Sequence, residues 1–180
     1  CNFACSYCPE SLHDGSIPWP SVNTVKKFIS TVVDQTFPKQ VYFEFTGGEV
    51  TLNPHFTEIA KHCTSLNAKI GLISNGSRTE RWWQEHKEYF DHVCLSFHPE
   101  FGDPEHFLKI VELCHNDIRT HVNIMMAPDK FDYCLDVANR AVELGNISFA
   151  QLNASITSSA NALAIAANKG REFTDKMTKD

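Results

Sequence analysis

The sequence predicts an α/β fold in which parallel strands form a partial barrel with helices on its outer side. Helical and strand-like apolar patterns alternate along the chain with short connections, which favours parallel strands joined by right-handed crossovers. The strands are apolar at alternate positions only, whereas strands covered on both faces would be apolar at every position. One face of the sheet should therefore pack on helices, and the polar face should line a ligand cavity.

The first half of the chain predicts two helices around one strand. Ser21 is a helix-capping residue, and an apolar stripe at helical spacing follows it. Apolar and polar residues alternate over 41–46, which predicts a strand leading into Gly47-Gly48-Glu49. Asn53-Pro54 then predicts the cap and first position of a second helix. The two stripes are Val22, Val25, Phe28, Ile29, Val32 and Val33, and Phe56, Ile59, Ala60 and Cys63.

The second half continues the alternation as far as residue 153. Residues 154–168 are rich in Ala, Ser and Asn, and residues 170–180 are charged. After a core domain at 1–153 we therefore expect, at 154–180, either a weakly packed helix and a tail or the start of a truncated C-terminal region. The predicted elements are a strand over 69–74, a helix over 79–86, a strand over 92–98, a helix from Asp103-Pro104 to Cys114, a strand over 120–126, a helix over 131–142 and a strand over 147–152.

Composition limits the class of protein. The chain has 180 residues, enough for one domain with a sizeable core, and a net charge of −6, which argues against a nucleic-acid surface. No apolar run reaches the length of a membrane helix. Seven cysteines, three of them clustered, predict metal binding in a reducing compartment, so we expect a cytoplasmic protein. Because the chain starts at Cys1 without a methionine, we expect its natural start to lie further upstream.

The cluster is Cys1, Cys5 and Cys8, spaced C-x3-C-x2-C. Three thiolates in one short loop can bind one metal centre, and on an iron–sulfur cube they would leave one iron open. A zinc site would need a fourth ligand, for which His13 is the only nearby candidate. A ferredoxin-type cluster is the other alternative, but the next cysteine is Cys63 and the four-cysteine register is absent.

This spacing resembles the signature of the radical S-adenosylmethionine (radical SAM) family. Three further features are similar to that family: Tyr7 before the third cysteine, Gly47-Gly48-Glu49 at a strand end, and Ser74-Asn75-Gly76 at the end of the next strand. The resemblance implies a 4Fe–4S cluster held by Cys1, Cys5 and Cys8, with SAM on the fourth iron. It also implies a (βα)6 partial TIM-like barrel whose first strand precedes the cysteine loop and is missing from this chain.

The resemblance also implies a set of site residues on the rim formed by the carboxyl ends of the strands. We expect His98 to act as a catalytic residue that contacts SAM or the substrate, and Met125 to pack near adenine. The other residues expected to bind SAM are Tyr7, Gly47, Gly48, Glu49, Ser74, Asn75, Ser96 and Asn123.

In this family the reduced cluster cleaves SAM to a 5′-deoxyadenosyl radical, which takes a hydrogen atom from the substrate. The resemblance thus implies an oxidoreductase or lyase that receives electrons from a flavodoxin or ferredoxin-type donor. Its substrate would be a nucleotide or other small molecule, or a peptide or protein; residues 73–89 have a weak local similarity to viperin-like enzymes, which act on nucleoside triphosphates. The alternatives are an iron–sulfur electron-transfer protein and a structural zinc-binding module.

Overall fold

The computed structural model of the chain describes residues 1–144 and 150–154. Five strands and five α-helices alternate along this part of the chain. The strands are β1 (Tyr42–Phe45), β2 (Lys69–Ser74), β3 (His92–Phe97), β4 (Arg119–Met126) and β5 (Ala150–Ala154). The helices are α1 (Val22–Thr36), α2 (Phe56–Ser65), α3 (Glu80–His86), α4 (Pro104–His115) and α5 (Phe131–Glu143). Short 3-10 helices cover Glu10–Leu12, Val50–Leu52, Lys87–Tyr89 and Pro128–Lys130.

The strands form one parallel sheet in chain order, β1-β2-β3-β4-β5, which confirms the predicted topology. Its registers place Phe45 beside Leu72, Ser74 beside Leu95, and Ser96 beside Asn123. Since all strands run the same way, the segments that follow β1, β2 and β3 leave the sheet on the same side, where the carboxyl ends of the strands lie. We call this side the carboxyl edge of the sheet; active sites of parallel barrels lie there.

The two faces of the sheet differ as the sequence predicts. Every α-helix contributes residues to one hydrophobic core, which also takes in Leu72, Leu95 and Ile124 from alternate strand positions. The opposite, inner face carries polar and small residues from β1 to β4. These are Tyr42, Glu44, Gly71, His92, Cys94, Ser96, His121 and Asn123. The described part of the chain therefore has the α/β architecture of a partial TIM-like barrel.

Helix capping explains three of the α-helix starts, including that of α3, where the Thr79 hydroxyl accepts a hydrogen bond from the Trp82 amide at 3.3 Å. Ser21 accepts a hydrogen bond from the Thr24 amide at the start of α1, and Asp103 accepts one from the His106 amide at the start of α4. Asn53-Pro54, in contrast, does not begin α2. Asn53 instead accepts a hydrogen bond from the His55 amide at 2.9 Å, and the turn that this forms delays the helix until Phe56.

Phe28 also departs from its prediction. It lies on the predicted core stripe of α1, yet it is 61% exposed and packs edge-on against Phe43 of the first strand. Only Ile29 of that stripe is fully buried, because α1 covers the outermost described strand of the sheet.

Little of the prediction for the last part of the chain falls on residues that the structure describes. The predicted strand over 147–152 is observed as β5, which extends to Ala154; residues 147–149 lie outside the described residues. The predicted helix and tail over 154–180 also lie outside them, apart from Ala154. Among the residues that the structure describes, no helix is long and apolar enough to span a membrane.

Candidate active site at the carboxyl edge of the sheet

A cavity of about 150 Å³ lies where the cysteine loop (residues 1–8) meets the carboxyl ends of β1, β2 and β3. All three clustered cysteines line it, together with residues from the segment after each of these strands. The lining residues are Cys1, Phe3, Cys5, Cys8, Leu12, His13, Gly47, Gly48, Ile73, Ser74, Asn75, Ser96 and His98. The fold thus brings together residues that are up to about a hundred positions apart in sequence.

The cysteine loop is a compact turn. The Cys8 amide donates to the Cys5 carbonyl at 3.0 Å, and the Cys1 nitrogen donates to the Leu12 carbonyl at 2.7 Å. Cys5 is 2% exposed, whereas Cys1 and Cys8 are half-buried. Burial raises the pKa of the Cys5 thiol, and the neighbouring Cys8 and Glu100 charges raise it further. A metal cation is the kind of charge that would reverse this shift, since it deprotonates the thiols that coordinate it.

Gly48 packs directly against the first cysteine. A Cβ on Gly48 would lie 2.8 Å from the Cys1 nitrogen, 2.9 Å from the Cys1 Cβ and 3.1 Å from the Leu12 carbonyl oxygen. Such distances are below van der Waals contact, so only glycine fits here. The requirement is one of space, because the backbone of Gly48 does not lie in the left-handed region.

Glu49 does not reach into the cavity, although we expected it to bind the cofactor. Its side chain is completely buried and accepts hydrogen bonds from the Thr51 hydroxyl (2.7 Å), the Ser74 hydroxyl (3.0 and 3.1 Å) and the Asn75 backbone amide (2.6 Å). The carboxylate therefore joins the turn after β1 to the turn after β2. Its geometry is that of a positioning residue.

This network predicts a large effect of Glu49 on stability. Glu49→Ala should lower the free energy of unfolding by about 3 kcal/mol, because it leaves several buried donors without an acceptor. Urea denaturation measures the change. Glu112→Gln, an exposed substitution on α4, serves as the control and should stay within about 0.5 kcal/mol of the parent. A Glu49→Ala variant as stable as that control would contradict the positioning role.

The turn after β2 contacts the cysteine loop through Asn75. The Asn75 side-chain amide donates to the Asn2 side-chain oxygen Oδ1 at 3.0 Å and lies 3.8 Å from the Cys1 sulfur. Gly76 adopts a φ of +72°, which side chains rarely tolerate. The His106 imidazole Nε2 contacts the Gly76 and Arg78 carbonyls at 3.1 and 3.0 Å. Asn75 is thereby held in place from both sides.

Ser96, near the end of β3, and His98, which follows this strand, line the cavity, and His98 approaches the cysteine loop closely. Its Nδ1 lies 2.5 Å from the Tyr7 hydroxyl and 3.7 Å from the Cys5 sulfur. Burial lowers the pKa of His98, while the Glu100 charge opposes this shift. Burial also raises the pKa of Tyr7, which is not among the residues that line the cavity. Tyr7 contacts the lining through His98.

Asn123 and Met125 lie further from the cysteines, on the inner face of β4. Asn123 is paired with Ser96 in the sheet, and its side-chain amide donates to the Cys94 sulfur at 3.0 Å. Both residues are half-buried, and neither is among those that line the cavity. They continue the polar inner face next to it.

The family profile of the Radical SAM superfamily matches residues 1–148, which is most of the chain and includes every predicted site residue. The chain belongs to the radical SAM superfamily. Its cofactors are accordingly a 4Fe–4S cluster and SAM, and its chemistry is that of a radical SAM enzyme. This membership favours the enzyme interpretation over an electron-transfer protein or a zinc-binding module.

Curated relatives of this radical SAM domain include proteins named GTP 3′,8-cyclase from Actinobacillus pleuropneumoniae. Those from serotype 3 (strain JL03) and serotype 7 (strain AP76) are each 35% identical over 96 residues, and that from serotype 5b (strain L20) is 34% identical over 96 residues. Each match covers 47% of this chain and 26% of the relative. The chain thus aligns with about a quarter of the length of these relatives.

The residues of this radical SAM domain fit a cluster of this kind. Three thiols line one cavity, and the missing Cβ of Gly48 leaves room for the first of them. Within the described residues, no three His, Cys, Asp or Glu side chains surround a point where one metal ion could sit. A 4Fe–4S cube does not require the three thiolates to converge on one point, since each thiolate binds a different iron.

A second cavity, of about 430 Å³, lies at the opposite, amino end of the strands in this radical SAM domain. Two histidines of its lining pack edge to face with ring centroids 4.9 Å apart, and the Nε2 atoms of both are buried without a hydrogen-bond partner among the described residues. Its lining residues are Tyr42, Glu44, Lys69, Asp91, His92, Arg119 and His121.

From the buried His92 in this second cavity we predict a pH dependence of the free energy of unfolding. Burial lowers the pKa of His92, and the neighbouring His121 and Arg119 lower it further against the opposing Glu44. The unfolded chain therefore binds a proton more readily, so stability should fall as the pH drops below about 6.5, the ordinary pKa of histidine. Urea denaturation between pH 7 and pH 5 should show this loss, and His92→Gln should reduce it. Equal pH slopes for the parent and His92→Gln would contradict the account.

Sequence reasoning missed several residues that shape the site. Ser6 and Glu100 join the cysteine loop to the segment after β3, Asn2 pairs with Asn75, and His106 holds the turn after β2. All four act through contacts between residues distant in sequence. The positions of Asn2 and Ser6, each between two predicted ligands, were the only local signals for any of them.

Proposed function

We propose that this chain is the catalytic core of an enzyme that removes a hydrogen atom from a substrate held against the inner face of its partial barrel. One observation carries the proposal: the three loop cysteines, the Gly47-Gly48 turn and the Ser74-Asn75 turn line a single cavity at the carboxyl edge of the sheet. When bound there, the reduced cluster and SAM supply the 5′-deoxyadenosyl radical that such a reaction requires. The protein then has to position the cofactors and substrate and exclude competing reactions.

The proposed ligands of the cluster are Cys1, Cys5 and Cys8. Their loop presses against Gly48, which makes the loop and the glycine turn one unit. The backbone of Gly47 and Gly48 is open towards the cavity and can accept from the amino group of SAM. Glu49 holds this turn at a fixed distance from Asn75.

The remaining polar groups of the rim suit the ribose and methionine parts of SAM. Ser96 and His98 lie at the end of one strand and Asn75 follows its neighbour, so they can contact one bound molecule from two sides. Hydrogen bonding to Tyr7 fixes the His98 ring, whose pKa is lowered by burial. We propose that Asn123 and Met125 contact the adenosine or the substrate further along the inner face.

A nucleotide is the substrate class we favour over a peptide. The inner face next to the cysteine loop offers hydrogen-bonding groups, among them Ser96, His98 and Asn123. The similarity to proteins named GTP 3′,8-cyclase supports the same class. The electron donor that we propose is a flavodoxin or ferredoxin-type protein, and the site of action the cytoplasm, because the chemistry needs a strongly reducing environment.

The test is formation of 5′-deoxyadenosine by protein reconstituted with iron and sulfide and reduced with dithionite. We expect the parent to form it from SAM, and addition of a purine nucleoside triphosphate to increase its rate. Cys5→Ala should form none. If the iron-loaded parent forms no 5′-deoxyadenosine, with or without nucleotides or peptides, the proposed function is wrong. Stimulation by peptides alone would overturn the nucleotide proposal only.

A further inference from the structure

The segment after β3, residues 98–101, contacts the cysteine loop through three of its side chains. The carboxylate of Glu100 accepts from the Ser6 amide at 2.9 Å and from the Ser6 hydroxyl at 2.7 Å. The His98 ring contacts Tyr7, and the Phe101 ring stacks on Phe3 with centroids 5.8 Å apart. Ser6 lies between Cys5 and Cys8, so the hydrogen bonds of Glu100 act on the part of the loop that joins two proposed ligands.

The segment can serve as an anchor because it is itself fixed. The Phe101 and Gly102 amides both donate to the His98 carbonyl, at 3.1 and 2.7 Å. The Lys130 ammonium group donates to the Pro99 carbonyl at 3.0 Å, which ties the segment to the start of α5. Glu100 therefore projects from a closed turn.

The charge of Glu100 matters as well as its hydrogen bonds. A carboxylate that accepts from an amide and a hydroxyl makes stronger hydrogen bonds than a neutral acceptor. The potential of an iron–sulfur cluster depends on nearby charge and on hydrogen bonds to its sulfurs. A negative charge next to the loop opposes the addition of an electron. The Ser6 amide donates its one hydrogen to Glu100 and is therefore not available as a donor to the cluster.

We propose that Glu100 is a positioning residue of the cluster site, which holds the cysteine loop through Ser6 and lowers the reduction potential of the cluster. This inference rests on the proposed role of Cys1, Cys5 and Cys8 as ligands. Partners of this kind around metal sites typically change metal affinity by about ten- to a hundredfold.

Two substitutions separate the hydrogen bonds from the charge. Glu100→Gln keeps an acceptor for Ser6 but removes the charge, so the cluster should remain bound while its midpoint potential becomes less negative. Glu100→Ala removes both, so a chelator should extract iron about tenfold faster, and the potential should also rise. Glu105→Gln is the matched control, since it removes the same charge from a residue that pairs with Arg140 on the outer surface.

The measurements are iron and sulfide per chain, the rate of iron extraction by a chelator, and a potentiometric titration followed by EPR. Unchanged potentials and extraction rates in both Glu100 variants, or a shift of the same size in Glu105→Gln, would overturn the inference. If Glu100→Ala fails to fold, the potential of Glu100→Gln decides alone. A parent that binds no cluster, or Cys5→Ala with full iron, would instead overturn the proposed function.

Discussion

Cys5→Ala should lose nearly all of the iron and sulfide that the parent binds after reconstitution. Cys5 is the most buried of the three loop cysteines, at 2% exposure, and its carbonyl accepts the hydrogen bond from the Cys8 amide that closes the turn. With only two thiolates left, two irons of the cube would lack a protein ligand. Iron and sulfide analysis, together with the visible absorbance of the cluster, measures the loss.

Cys94→Ala is the matched control for this substitution. Cys94 is also buried, but it lies on the inner face of β3, outside the cysteine loop, where its sulfur accepts from Asn123. It should retain the iron of the parent. Full iron and sulfide in Cys5→Ala would show that this cysteine is not a ligand.

Gly48→Ala should weaken the binding of SAM about ten- to hundredfold. Its Cβ would lie 2.8 Å from the Cys1 nitrogen, and a backbone atom cannot move aside by rotation of a side chain. Either Cys1 or the glycine turn must shift, and overpacking of this kind typically costs about 1–3 kcal/mol. Because the shift deforms the cavity that binds SAM, this energy corresponds to the expected loss of affinity. Calorimetry on anaerobically reconstituted protein measures the affinity.

Ser96→Ala provides the comparison for Gly48→Ala. It removes a single hydroxyl from the same cavity without adding any atom, so it should cost about one hydrogen bond, or 0.5–1.5 kcal/mol. The Gly48 variant should therefore lose more affinity than the Ser96 variant. SAM affinity equal to that of the parent in both variants would place the cofactor outside this rim.

The fold was predictable because its signals are local. The stripes of α2 and α4 and the alternation in β3 follow from residues a few positions apart, and parallel strand order follows from their alternation. Asn53-Pro54 misled because an Asn-Pro pair also suits a turn, which is what forms before α2. Phe28 misled because a stripe at helical spacing does not reveal that the outermost described strand leaves part of its helix uncovered.

The segments that line the cavity were predictable, but the contacts that connect them were not. The cysteine loop, Gly47-Gly48 and Ser74-Asn75 carry recognisable patterns and follow consecutive strands. The orientation of Glu49 towards Ser74 and the pairing of Glu100 with Ser6, 94 positions away, depend on the path of the folded chain. No periodicity or spacing encodes such contacts, so the structure was needed to distinguish residues that face the cavity from those that position it.

The central claim is that three loop cysteines hold a cluster with one iron open to SAM, and EPR of the reduced, reconstituted protein tests it most directly. SAM should change the signal of the reduced cluster, because its amino and carboxylate groups would become ligands of the open iron. The change should saturate with about one SAM per cluster. A signal that is identical with and without saturating SAM, in protein that carries a full cluster, would contradict the account.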